Sequence, residues 1–158
     1  MTAPKDSGPS EQVSWPIVHE VDTLWCSTRA REFAVHVGFD QHAIWEVEIV
    51  VRELVTNVIK YAKRGQLVLE YVAAPEPFLR IIVEDDGKGI DDVASAFIDG
   101  YSEGRMLADV RYAERSGLGS GLGAVRRLTD RVTIKKKEHG GTRVTAEKNI
   151  RRSGWRAG

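Results

Sequence analysis

Three short segments of this chain carry residues able to do chemistry: ELVTNVIKYA at 53–62, EDDGKGI at 84–90 and GLGSGLGAVRRL at 117–128. In the first, Glu53, Asn57 and Lys60 are spaced four and three apart. On a helix they share a face with Glu46, seven residues before Glu53. A carboxylate one turn from a carboxamide suits a magnesium site. The amide offers a neutral oxygen ligand, and the carboxylate can orient or deprotonate a nucleophile. Taken alone, the same spacing more often marks a solvated helical stripe.

The second segment changes that balance. Asp85 shares strand parity with Leu79, Ile81 and Val83, so it faces the core. A buried, unpaired carboxylate is costly and needs a donor partner, which an adenine amino group would supply. Gly87 and Gly89 let the backbone turn sharply and leave room for a flat ring. An acid capping a glycine-rich turn is the plain alternative. Thr142 shares parity with Val144 and Ala146, which turns its hydroxyl toward the same pocket; a core threonine satisfied by backbone is the plain alternative there.

In the third segment, Gly117, Leu118, Gly119, Ser120, Gly121, Leu122 and Gly123 lack the lysine and serine or threonine of a P-loop. Their glycines can instead bring backbone N–H groups to phosphate oxygens, with a helix N-terminus adding favourable charge. The stretch at 119–124 also fits the loose dinucleotide fingerprint, with Glu138 placed for a ribose. That reading fails on context, because the run follows a charged loop rather than a strand and only two strands remain after it.

These residues need elements to hold them. Ser14–Glu20 reads as a strand. A helix capped by Asp22 follows, ending near Val37 before Gly38. Asp40 caps a longer helix to about Ala62, whose Ile44, Val47, Val51, Leu54, Val55 and Val58 keep helical spacing. Strands are expected over Gln66–Val72 and Phe78–Asp85, joined by AAPEP. A short helix over Asp92–Asp99 and a long charged loop over 100–116 come next. A helix over Gly119–Thr129 and strands at 131–138 and 142–149 complete the series. This order predicts an α/β (α+β) two-layer sandwich, its mixed, mostly antiparallel sheet covered by helices on one face. Residues 1–13 and 151–158 read as flexible flanks of a domain spanning 14–150.

Composition narrows the function classes. A length of 158 residues suits one domain, and 42% apolar with 29% charged residues describes an ordinary globular core. The 23 basic and 23 acidic residues cancel, so bulk charge gives no pull toward nucleic acid or an anionic membrane. Cys26 stands alone, which excludes an internal disulfide or cysteine-rich zinc site and fits a cytoplasmic setting. The opening residues lack a signal-peptide run, and no stretch approaches the roughly 20 apolar residues of a membrane span.

Taken together, the segments resemble the GHKL superfamily, the Bergerat-type ATP-binding domain shared by DNA gyrase, heat-shock chaperones, histidine kinases and mismatch-repair proteins. Glu53 with Asn57 looks like its N-box, Asp85, Gly87 and Gly89 like its adenine box, and Gly117–Gly123 like its glycine box. Thr142 in GGTRV matches its late threonine. From about Trp15 to Ile150 the chain looks most like the anti-sigma-factor and stressosome-switch serine/threonine kinases of bacterial partner-switching systems. The resemblance implies ATP and Mg²⁺ as cofactors, Glu53 as general base, Asn57 as the Mg²⁺ ligand, and Lys60 near the phosphates. Asp85 would accept from adenine, with residues 100–118 as the ATP lid. Its partners would be a STAS-domain antagonist as substrate and a PP2C-type phosphatase or sigma factor. The segment YSEGRMLADVRYAERS, with Arg105, Arg111 and Arg115, is longer than in compact relatives. The alternative function is an ATP-gated binding module that holds a partner without phosphotransfer.

Overall fold

A computed structural model describes residues 11–62, 64–87, 101–102, 105–106 and 121–151. In chain order the elements are β1 (Glu11–Ile17), α1 (Val21–Val37), α2 (Gln41–Tyr61), β2 (Gly65–Val72) and β3 (Phe78–Asp85). They continue with β4 (Tyr101–Ser102), β5 (Arg105–Met106), α3 (Gly121–Leu128), β6 (Arg131–Lys136) and β7 (Thr142–Asn149). The large sheet has the order β1-β2-β3-β7-β6, and every neighbouring pair in it is antiparallel.

Strand alternation puts one continuous apolar face on this sheet. Trp15 pairs with Leu67, Leu67 with Val83, Val83 with Val144, and Val144 with Ile134. The next row runs through Val13, Leu69, Ile81, Ala146 and Val132. These residues form one core with Ala30, Phe33 and Ala34 of α1, Val47, Val51, Leu54, Val55 and Val58 of α2, and Leu122 and Val125 of α3. The opposite face is polar: Arg80 bridges Glu70 at 2.7 Å and Glu147 at 3.3 Å, and Arg143 meets Glu84 at 2.9 Å. The expected two-layer sandwich is therefore present, with helices on one side and solvated ion pairs on the other.

Helix α2 keeps its expected limits. Asp40 Oδ1 accepts from the Ala43 N–H at 2.8 Å, a cap worth about 1 kcal/mol. Gly38 ends α1 in the left-handed region at φ 100°. Other expectations change. Glu11–Val13, expected outside the domain, pair with Tyr71–Leu69 as the start of β1. Val18–Glu20 leave the strand, because Asp22 does not cap α1. Its Oδ2 accepts instead from the Val18 and His19 N–H groups, both at 2.8 Å. Those bonds, His19 first, lower the Asp22 carboxyl below its usual range. In the expected loop, Tyr101 pairs with Met106 and Ser102 with Arg105 as a small hairpin. The helix expected over Asp92–Asp99 lies outside the described residues.

Candidate functional site

The site is assembled from the end of β3, the start of β7 and the facing flanks of α2 and α3. Asp85 closes β3 on the helix-facing side and is half-buried. Its Oδ1 accepts from the Gly87 N–H at 2.8 Å and the Thr142 N–H at 3.2 Å. The sequence left this carboxylate unpaired in the core; it is instead partly open and already holds two backbone donors on one oxygen. Thr142 is 3% exposed, and among the described residues its hydroxyl has no hydrogen-bond partner. The β3–β7 pairing thus brings Asp85 and Thr142 side by side.

Two residues not read from the sequence as functional lock this corner. Gly141 has φ 93°, and a β-carbon there would lie 1.9 Å from the Asp85 carbonyl oxygen. Only glycine admits this approach with this backbone. Lys137 Nζ donates to the Asp85 carbonyl at 3.2 Å and to Asp86 Oδ1 at 3.4 Å. Asp86 also stands 3.7 Å from Arg64 Nε. Gly87 packs against the end of α2, where a β-carbon would come 2.9 Å from Ala62 Cβ. The signal for Gly141 was the doubled glycine before Thr142. Lys137 gave none, since its contact is across 52 residues.

The second cluster sits on α2. Glu53 and Asn57 are half-buried and face the first turn of α3. A β-carbon at Gly121 would lie 3.1 Å from Glu53 Oε2 and 3.5 Å from Asn57 Nδ2. Glycine at this helix start lets the backbone approach both side chains. Burial pushes the Glu53 carboxyl above its usual range, against the lowering influence of Lys60 and Arg52. Lys60 is largely exposed, and partial desolvation of its ammonium lowers its pKa while the Glu53 charge opposes the shift. Leu122 gives its side chain to the core and Gly123 is buried. Gly89, Gly117, Leu118, Gly119 and Ser120 lie outside the described residues, as does most of the 100–118 segment.

Glu46 does not belong to an open stripe. It pairs with the ammonium of Lys148 on β7 and, at 2.8 Å, with His42 Nε2. Lys148 is 8% exposed, and its Nζ also donates to the Leu128 carbonyl at 2.7 Å. Its inward parity with Thr142, Val144 and Ala146 was the available signal: a lysine at a core position requires a partner.

An antiparallel sheet with helices on one face, an acid at one strand end, and a glutamate–asparagine pair against a glycine-led helix define an ATP-binding α/β sandwich. The Histidine kinase-like ATPase domain family matches residues 25–148, and the chain belongs to it. It is 32% identical over 136 residues to the serine/threonine-protein kinase RsbT of Bacillus subtilis (strain 168), covering 85% of this chain and 94% of RsbT. It is also 32% identical over 111 residues to the anti-sigma F factor of Clostridium novyi (strain NT), covering 68% of this chain and 72% of that protein. Its fold is similar to a chain in the crystal structure of the SiaB–SiaC complex from Pseudomonas aeruginosa, with TM-score 0.58, 12% identity and coverage of 87% and 89%. None of the described helices is long and apolar enough to cross a membrane.

Proposed function

We propose that this chain is an ATP-dependent protein serine/threonine kinase of a bacterial partner-switching pathway, phosphorylating a STAS-domain antagonist and regulating a second partner, a PP2C-type phosphatase or a sigma factor. The observation that carries the mechanism is the meeting of Glu53 and Asn57 with Gly121 at the start of α3. The kinase domain runs from Glu11, where β1 begins, to about residue 150, with its lid at about 100–118, and it works in the cytoplasm.

Adenine fits the Asp85 corner. Oδ1 is spent on two backbone N–H groups, leaving Oδ2 to accept from the exocyclic amino group. The buried Thr142 hydroxyl gains a ligand partner beside it. Gly117, Leu118, Gly119, Ser120, Gly121, Leu122 and Gly123 supply backbone donors for the phosphates, with Gly87 and Gly89 making room for the ring. Lys60 adds a cation at the phosphate end.

A single Asn57 oxygen is a fitting ligand for Mg²⁺, which keeps most of its waters and takes its other ligands from substrate phosphates rather than a protein cage. When bound, Mg²⁺ neutralises charge on the triphosphate. Glu53 takes the proton of the substrate hydroxyl as that oxygen bonds to the γ-phosphorus, and the bond to the departing ADP breaks. Its raised affinity for a proton brings the carboxylate nearer the strength a base needs at neutral pH.

The test is Glu53→Ala, assayed with γ-labelled ATP and the cognate antagonist. Transfer should fall about 10²–10⁴-fold while ATP stays bound. Wild-type transfer by this variant would remove Glu53 as base. ATP binding by the wild-type protein without transfer to any cognate antagonist would leave a nucleotide-gated binding module.

A further inference from the structure

Helix α3 is tied to α2 at two separated places, once directly and once through Lys148 of β7. Its first residue, Gly121, abuts Glu53 and Asn57. At its other end, the carbonyl of Leu128 accepts from Lys148, which pairs with Glu46. The eight residues of α3 span about 12 Å, and Glu46 precedes Glu53 on α2 by about 10.5 Å of axial rise. The helix therefore lies antiparallel along the polar stripe of α2, fixed at both ends. A buried lysine is an expensive way to gain stability, and the best-attested use of such ion pairs is to set register. A cation at a helix C-terminus also interacts favourably with its last carbonyl.

We infer that Lys148, through Glu46, is a positioning residue for nucleotide binding: it sets the axial position of α3 and thereby the distance between the glycine-rich helix start and Glu53 and Asn57. This rests on the ATP-site reading above and adds to it a residue that approaches neither base nor phosphate. The phosphate end of the site depends on this register. The Asp85 corner does not, since it is held by β3–β7 pairing and Gly141.

The test separates register from folding. Because Lys148→Met alone leaves Glu46 with only His42, the main variant is the double replacement Glu46→Leu with Lys148→Met, which fills the space with apolar groups; Glu46→Gln, which keeps a hydrogen bond, is its milder companion. Binding of ATP is measured by calorimetry, binding of adenosine by NMR titration, and protection of the α3 amides by hydrogen exchange. In the double variant, ATP should bind about 10- to 100-fold more weakly, adenosine within about twofold of wild type, and α3 should lose protection. Glu46→Gln should show the same pattern at smaller size. Equal weakening of ATP and adenosine, or unchanged ATP affinity with only a lower melting temperature, would make Lys148 a structural residue and overturn the inference. If the wild-type protein bound no ATP, the functional reading itself would fall, and this inference with it.

Discussion

The two halves of the site are built in different ways. At the Asp85 end, neighbouring strands do the work: backbone N–H groups of Gly87 and Thr142 fix one carboxylate oxygen, and Gly141 brings two main chains into contact. At the Glu53 end, the packing of α3 on α2 and the Lys148–Glu46 pair at the far end of α3 set the geometry, and the carboxyl is held in a partly desolvated place that raises its proton affinity. The lesson is one of division: the Asp85 corner is built into the sheet, while the Glu53 end rests on how two helices are held against each other.

The largest effect is expected from breaking the rigid half. Gly141→Ala forces a β-carbon into the Asp85 backbone, with no flexible side chain to yield, at a φ that L-residues avoid. The fold should lose about 3 kcal/mol or more, measured by urea denaturation. A loss below about 1 kcal/mol would mean the corner relaxes easily and is not the firm half.

Asp85→Asn should sharpen the comparison without unfolding the protein. The amide oxygen can still accept from Gly87 and Thr142, but the other position becomes a donor facing the adenine amino group. Nucleotide binding should weaken by about 1–3 kcal/mol with little change in melting temperature. Unchanged affinity in calorimetry would take adenine recognition away from this residue.

The smallest effect is expected in the stability of Glu53→Gln, and its sign is the informative part. A carboxyl whose pKa is higher in the fold than its unfolded value of 4.5 destabilises the fold as pH rises through that window, and the deficit persists above it. Glu53→Gln should therefore be slightly more stable than wild type at neutral pH, and the gap should close below about pH 4. Melting curves across pH check this. A variant less stable than wild type at pH 7 would make Glu53 a structural group rather than one held at a cost for chemistry.

How much of this was legible depended on the range of the interaction. Asp40, Gly38 and the limits of β3 rest on local chemistry, and they were readable. The parity that turned Asp85 and Thr142 inward was also local, which is why the register joins them as expected. Strand β1 was misplaced because it is an edge strand: Gln12, Ser14 and Pro16 need no core, so only Val13, Trp15 and Ile17 signal its inward face. Asp22 has the right type and place for a cap, but the preceding turn offers its carboxylate closer donors. Glu46 looked like a surface residue because its partner Lys148 lies 102 residues away. A separation of 52 residues likewise hid the contact of Lys137 with Asp85.

The order β1-β2-β3-β7-β6 has a consequence for synthesis. The last described strand to leave the ribosome is inserted beside β3, not added at the rim. Until residue 149 has emerged, β3 shows a bare edge carrying Ile81, Ile82 and Val83, the kind of edge on which nascent chains stick together. Thr142 and Gly141 arrive with that same strand. A nascent chain thus covers the edge of β3 and completes the Asp85–Thr142 corner in one closing step.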